Sequence, residues 1–137
     1  MVNEADPLMA LVVDTKQINR EHLAAMLKGM VLVDLQSETF FLQPEARARS
    51  NARQAVRLSL LAQKALNLLK EGQVLDVLSP RQLSALTGFK GNTIRPVLKR
   101  LTNEGLIVRR PEGYTIHGSA LARVGIALHT ERNNRDG

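Results

Sequence analysis

Between positions 90 and 110 the chain places Lys90, Asn92, Thr93, Arg95, Lys99, Arg100, Arg109 and Arg110 in a run that also contains Pro96. Ammonium and guanidinium groups grip anions, and guanidinium and carboxamide groups can also form paired hydrogen bonds to base edges. Arg95 and Lys99 stand four apart, so on a helix they share one face near its start, where the macrodipole is positive as well. Like charges at that spacing weaken an isolated helix slightly, and a polyanion laid against them would offset the repulsion. The chemistry these residues can do is therefore the binding of an anionic surface rather than the making of bonds.

Bond-making signatures are not found. His22, His117 and His129 are isolated, without a second histidine or an acid at metal-ligand spacing. The stretch "TGFKGNT" lacks the lysine and hydroxyl pair that a phosphate-binding loop carries after its second glycine. Ser119 follows Gly118 without the context of a nucleophile elbow. With no cysteine there are no disulfides and no thiolate metal sites, which fits a reducing compartment. The expectation is a protein that is not an enzyme and takes no metal or cofactor.

Charge is distributed unevenly. The 137 residues carry a formal net charge of +6. Residues 79 to 110 contain Arg81, Lys90, Arg95, Lys99, Arg100, Arg109 and Arg110 against the single acid Glu104, which accounts for the whole excess. Concentration of this kind points to an anionic partner rather than to general solubility. Aromatic residues make up only 3% of the chain, and Phe89 alone lies near the basic run, too few for stacking on unpaired RNA bases. The apolar run from Leu8 to Val13 is too short to cross a bilayer and has no basic leader, so a soluble, cytoplasmic protein without a membrane partner is expected.

Elements that could hold the basic run in place are legible from spacing and punctuation. Residues 1 to 7 carry no periodicity. "NREHLAAMLK" (19 to 28) predicts a short helix with Asn19 as cap and Gly29 as stop, and "MVLVDLQSETFFLQP" predicts an antiparallel hairpin closed by Pro44. Two strands alone are marginal in water, so the hairpin must pack on a helix, join a third strand or meet another subunit. From Pro44 to Gly72, Leu58, Leu61, Ala62, Ala65 and Leu69 recur at helical steps; the helix could start at Pro44, or Ser50 could cap one starting at Asn51. Arg49, Arg53 and Arg57, four apart, would form one row on its outer face, either solvated or touching phosphate. After the link "GQVLDVL", Ser79, Pro80 and Gln82 read as a cap, a first-position proline and the reciprocal capping partner. That helix should stop near Thr87 and Gly88. A second, capped by Asn92 or Thr93, should run to about Asn103 with Gly105 behind it, and Pro96 should fall in its first turn, where a missing N–H costs little. Ile94, Val97, Leu98 and Leu101 form its core stripe and leave Asn92, Arg95, Pro96, Lys99 and Arg100 outward. "LIVRR" and "YTIH" around "PEG" predict a tight hairpin, and Ser119 can cap a last amphipathic helix, "ALARVGIALHTER", before a polar tail.

The run "TIRPVLKRLTNEGLIVRR" followed by "PEGYTIH" resembles the recognition helix and wing of MarR-like winged-helix transcription regulators, over roughly residues 52 to 117. The resemblance rests on Thr93 with a buried Ile94, Leu101 ending the helix face, and Gly105-Leu106-Ile107 leading through Arg109 into the wing. It implies that Asn92, Thr93, Arg95, Pro96 and Lys99 face the major groove of DNA, flanked by Lys90 and Arg100. Two departures matter. The short loop puts Glu112 where such regulators often carry a basic tip, which shifts the wing's expected role to phosphate contacts by Arg109 and Arg110. Residues 22 to 44 do not match the helical dimerisation arm of that family.

The expected architecture is α+β, mainly α: a helix and β-hairpin extension at 1–43, a winged helix-turn-helix domain at 44–131 and a disordered tail at 132–137. The expected partner is double-stranded DNA, bound by a homodimer, with transcriptional regulation as the role. A replication or partition factor of a plasmid or virus and a winged-helix protein-protein module are the alternatives. Whether a small effector binds is left open.

Overall fold

Residues 6–11 and 15–116 are described by the structure, a computed structural model. After a 3-10 turn at Pro7–Leu11 the chain runs through α1 (Thr15–Leu27), β1 (Val31–Asp34), β2 (Thr39–Leu42), α2 (Pro44–Arg49), α3 (Ala52–Leu69), α4 (Pro80–Thr87), α5 (Gly91–Asn103), β3 (Ile107–Arg110) and β4 (Gly113–Ile116). The arrangement is α+β and mostly helical, with two antiparallel hairpins, β1–β2 and β3–β4. The last helix expected from Ser119, the tail at 132–137, and His117 and His129 lie outside the described residues.

Helix α1 starts at Thr15, four residues before the expected cap Asn19, because the good helix formers Lys16 and Gln17 extend it upstream. Gly29, at φ +79°, ends it as expected. Downstream of Pro44 both possible starts are used. Pro44 opens α2 with Glu45 in its first turn, and a second helix begins after Asn51. The cap of α3 is Asn51 rather than Ser50. Its Oδ1 accepts from Gln54 N at 2.8 Å while Gln54 Oε1 accepts from Asn51 N at 3.1 Å. Ser50 instead turns back, donating its hydroxyl to Ala46 O at 2.6 Å.

The break removes the expected arginine row. Arg49 and Arg53 sit on different helices, and Arg57 is only 2% exposed. Helix α3 lies at the centre of the fold: α1, β1, β2, α4, α5 and β4 all pack on it, and every residue from Gln54 to Gln63 is buried. A helix covered on all sides has no outer face for a row of cations. Arg53 keeps partial exposure and pairs with Glu104 at 2.5 Å.

The β1–β2 hairpin finds its cover on α3. Val31 and Phe40 face inward and share one apolar cluster with Leu23 and Leu27 of α1, Ile94 and Leu98 of α5, and Ile107 and Ile116 of the second hairpin. Residues of the expected extension and of the expected DNA-binding part thus contribute to the same core. The register pairs Leu32 with Phe41, and both point outward, 61% and 58% exposed. Asp34 holds the connecting turn. Its carboxylate accepts from the Ser37 hydroxyl at 2.7 Å and from Gln36 N at 3.0 Å. The Ser37 hydroxyl, then the Ser37 backbone N–H, hold Asp34 below its ordinary carboxylate value.

The link between α3 and α4 is more ordered than its sequence suggests. Gln63 Nε2 donates to Leu75 O at 2.7 Å, Asn67 Nδ2 donates to Val74 O at 2.7 Å, and Lys64 pairs with Asp76 at 2.6 Å. Leu78 then forms a bridge with Tyr114 of β4, through bonds of 2.9 Å and 2.8 Å, so the second hairpin gains a third, one-residue strand.

Candidate functional site

The site is built from two short helices and the hairpin that follows them. Ser79 and Gln82 form the expected capping box: Gln82 N donates to Ser79 Oγ at 3.1 Å, and Ser79 N donates to Gln82 Oε1 at 2.8 Å. Pro80 occupies the first position of α4, and Gly88 ends it at φ +83°. The turn to α5 is tied by side chains. Ser84 Oγ donates to Phe89 O at 2.6 Å, Phe89 N donates to Thr87 Oγ1 at 3.2 Å, and Arg47 Nε of α2 donates to Thr87 O at 3.2 Å.

Helix α5 begins at Gly91, earlier than Asn92 or Thr93 as caps would allow. The N-cap is Lys90, extended and without a capping side chain, and its carbonyl accepts from Thr93 N and Ile94 N. The early start has a second consequence. Pro96 is the sixth residue of the helix, in its second turn rather than its first, so the bond it would have made to the Asn92 carbonyl is lost. Asn92 and Pro96 are both exposed, and water can satisfy that carbonyl.

The two faces of α5 separate as the spacing predicts. Ile94, Val97, Leu98 and Leu101 are buried, and Asn92, Thr93, Arg95, Pro96, Lys99 and Arg100 are exposed. Asn92, Pro96 and Lys99 lie opposite the buried stripe, with Arg95 on one flank and Thr93 and Arg100 on the other. Lys90, at the cap, is exposed too. In the following hairpin Arg109 and Arg110 are exposed, cross-strand from Tyr114 and Gly113, and the pleat sends them to opposite faces of the ribbon. Pro111 and Glu112 make the two-residue tip.

Electrostatic pairing divides the cations of the protein. Lys64, Lys70 and Arg53 each hold an acid, and Arg20 and Arg47 each hold a backbone carbonyl. By contrast, the side chains of Arg81, Lys90, Arg95, Lys99, Arg100, Arg109 and Arg110, and that of Lys28 elsewhere, have no partner among the described residues. Glu104, the one acid of the basic segment, is drawn to Arg53 and does not neutralise this surface.

Two determinants escaped the sequence reading. The Leu78–Tyr114 bridge lies inside what reads as a plain link, where only the run Val77-Leu78 carries a strand signal. The Arg47 bond to the turn has no local signal at all, since its ends are 40 residues apart. Comparison with family models, with curated proteins and with solved structures finds no match to this chain.

Proposed function

We propose that the protein is a winged-helix, sequence-specific binder of double-stranded DNA, acting as a transcriptional regulator rather than as an enzyme. In this reading α4 and α5 form the helix-turn-helix, α5 enters the major groove and β3–β4 is the wing on the backbone. One observation carries it: the exposed face of α5 holds Arg95 and Lys99 without partners among the described residues, beside Asn92, while the opposite face is sealed into the core. Asparagine and arginine are the side chains best shaped to read base edges, and the cations around them suit phosphates. An interaction helix would instead expose aromatic or aliphatic anchors, which α5 lacks.

Selection of bound duplexes from a random pool at two salt concentrations tests this reading. A defined consensus should emerge and binding should weaken steeply with salt. Arg109→Ala and Arg110→Ala should each weaken binding to every duplex alike and lower the salt slope by about one unit. If neither consensus nor salt dependence appears, the fold serves as a protein-protein module instead.

The same reading includes a homodimer, since one recognition helix spans few base pairs and a two-fold site doubles the contacts. The outward pair Leu32 and Phe41, with the exposed Leu35 beside them, supports the first hairpin as part of the contact. Phe41→Ser should shift the protein toward monomer in light scattering. A wild-type protein that is monomeric at working concentration removes the dimer from the proposal. Among the described residues, no helix is long and apolar enough to cross a membrane.

A further inference from the structure

Away from α5, a cleft of about 380 Å³ opens between α1, β1 and the carboxyl end of α3. Its walls are Leu23 and Leu27, Val31 and Val33, and Leu68 and Leu69. Leu23, Leu27 and Val31 belong to the packed core, which fixes the wall, and Ala24 and Leu69 leave apolar surface uncovered at the rim. Among the described residues, the only charged side chains lining the cleft are Arg20 and Lys28, both cationic. Arg20 Nη2 donates to Leu68 O at 2.9 Å, a carbonyl that also accepts from Glu71 N, and this ties the guanidinium to the end of α3. One donor of the guanidinium is used, and its fork geometry suits a carboxylate with the rest. Lys28 has no partner among the described residues. A second, more polar cleft beside α4 offers less, because its Gln63 and Gln82 already bond to Leu75 O and Ser79 N.

We propose that the α1–β1–α3 cleft binds an amphipathic monocarboxylate, its hydrocarbon body against the leucine and valine walls and its carboxylate between Arg20 and Lys28. The volume lies within the range usual for small-ligand sites and holds about a dozen groups of roughly 30 Å³ each, the length of a medium-chain acid. Apolar walls supply affinity and the two cations supply the preference for an anion over a neutral molecule of equal size. This binding does not depend on the nucleic-acid reading, since none of the α5 residues lines the cleft.

Titration of the full chain with octanoate and with 1-octanol, followed by methyl and amide NMR shifts in the absence of DNA, tests the site. Octanoate should saturate, with shifts centred on Leu23, Val31 and Leu68, and bind about tenfold tighter than the alcohol. The Arg20→Gln/Lys28→Gln variant should bind the two equally. Ala24 is exposed at the rim, so Ala24→Trp should leave the fold intact and lower octanoate affinity by about tenfold or more. Should that variant unfold, Ala65→Met blocks the cleft from α3 and should give the same loss. Absence of saturation, equal binding of acid and alcohol to the wild type, or shifts centred elsewhere would each overturn the proposal.

Discussion

Gly113→Val should lower the stability of the protein by about 2 to 6 kcal/mol, adding about 1 to 3 for a side chain held at a disfavoured φ to about 1 to 3 for overpacking. Gly113 has φ +151° and opens β4, directly beside Leu78. A Cβ built there would lie 2.5 Å from the Leu78 carbonyl carbon and 2.8 Å from Ser79 N, with the Leu78 oxygen closer still. These atoms belong to backbone and cannot swing aside as a side-chain tip would. Either the hairpin lifts off or the Leu78–Tyr114 bridge breaks. The bridge joins β4 to the residue just before the Ser79 cap, so its loss also loosens the start of α4. Denaturant unfolding measures the loss, and hydrogen exchange at the Tyr114 amide locates it. A valine variant with the wild-type midpoint and a protected Tyr114 amide would contradict this account of the close approach.

Gly113 marks the boundary between what local sequence conveys and what it does not. A glycine in "PEG" reads as a turn residue, and the hairpin is indeed there. Its second role, making room for the backbone of Leu78, depends on the Leu78–Tyr114 pairing, across 36 positions, that no local pattern encodes. The capping box at Ser79 and Gln82 is legible because both partners are three residues apart. Asn51 and Gln54 show the same signature, and reading Ser50 as the cap overlooked it. The apolar stripe of α5 is legible because one face meets the core and the other meets solvent. Periodicity fails where that asymmetry is absent. Helix α3 is wrapped on all sides, so the outer face assigned to Arg53 and Arg57 is partly or wholly interior. Arg57 is buried in a helix covered by elements from α1 to β4, and the spacing of its own helix cannot announce them.

Arg95→Ala should cost about 1 to 3 kcal/mol of affinity for a selected duplex and relax preference at one base pair, if α5 reads the groove as proposed. The sign and the selectivity follow from position. Arg95 is exposed one turn into α5, lies at the flank of the buried stripe on the side it shares with Lys99, and has no intramolecular partner among the described residues to lose. Removing it therefore exposes no buried acid and opens no cavity, and melting temperature should stay near that of the wild type. Relief of the repulsion from Lys99 should even favour the helix slightly. Lys99→Ala, by comparison, should weaken all duplexes to a similar degree and act mainly through the salt slope, as an ammonium contacting phosphate would. Competition binding of both variants against duplexes altered one position at a time separates the two behaviours. Equal losses for Arg95→Ala across every altered duplex would assign Arg95 to the phosphate backbone and move base reading to Asn92 or Thr93. An affinity unchanged in both variants would remove α5 from the nucleic-acid surface altogether.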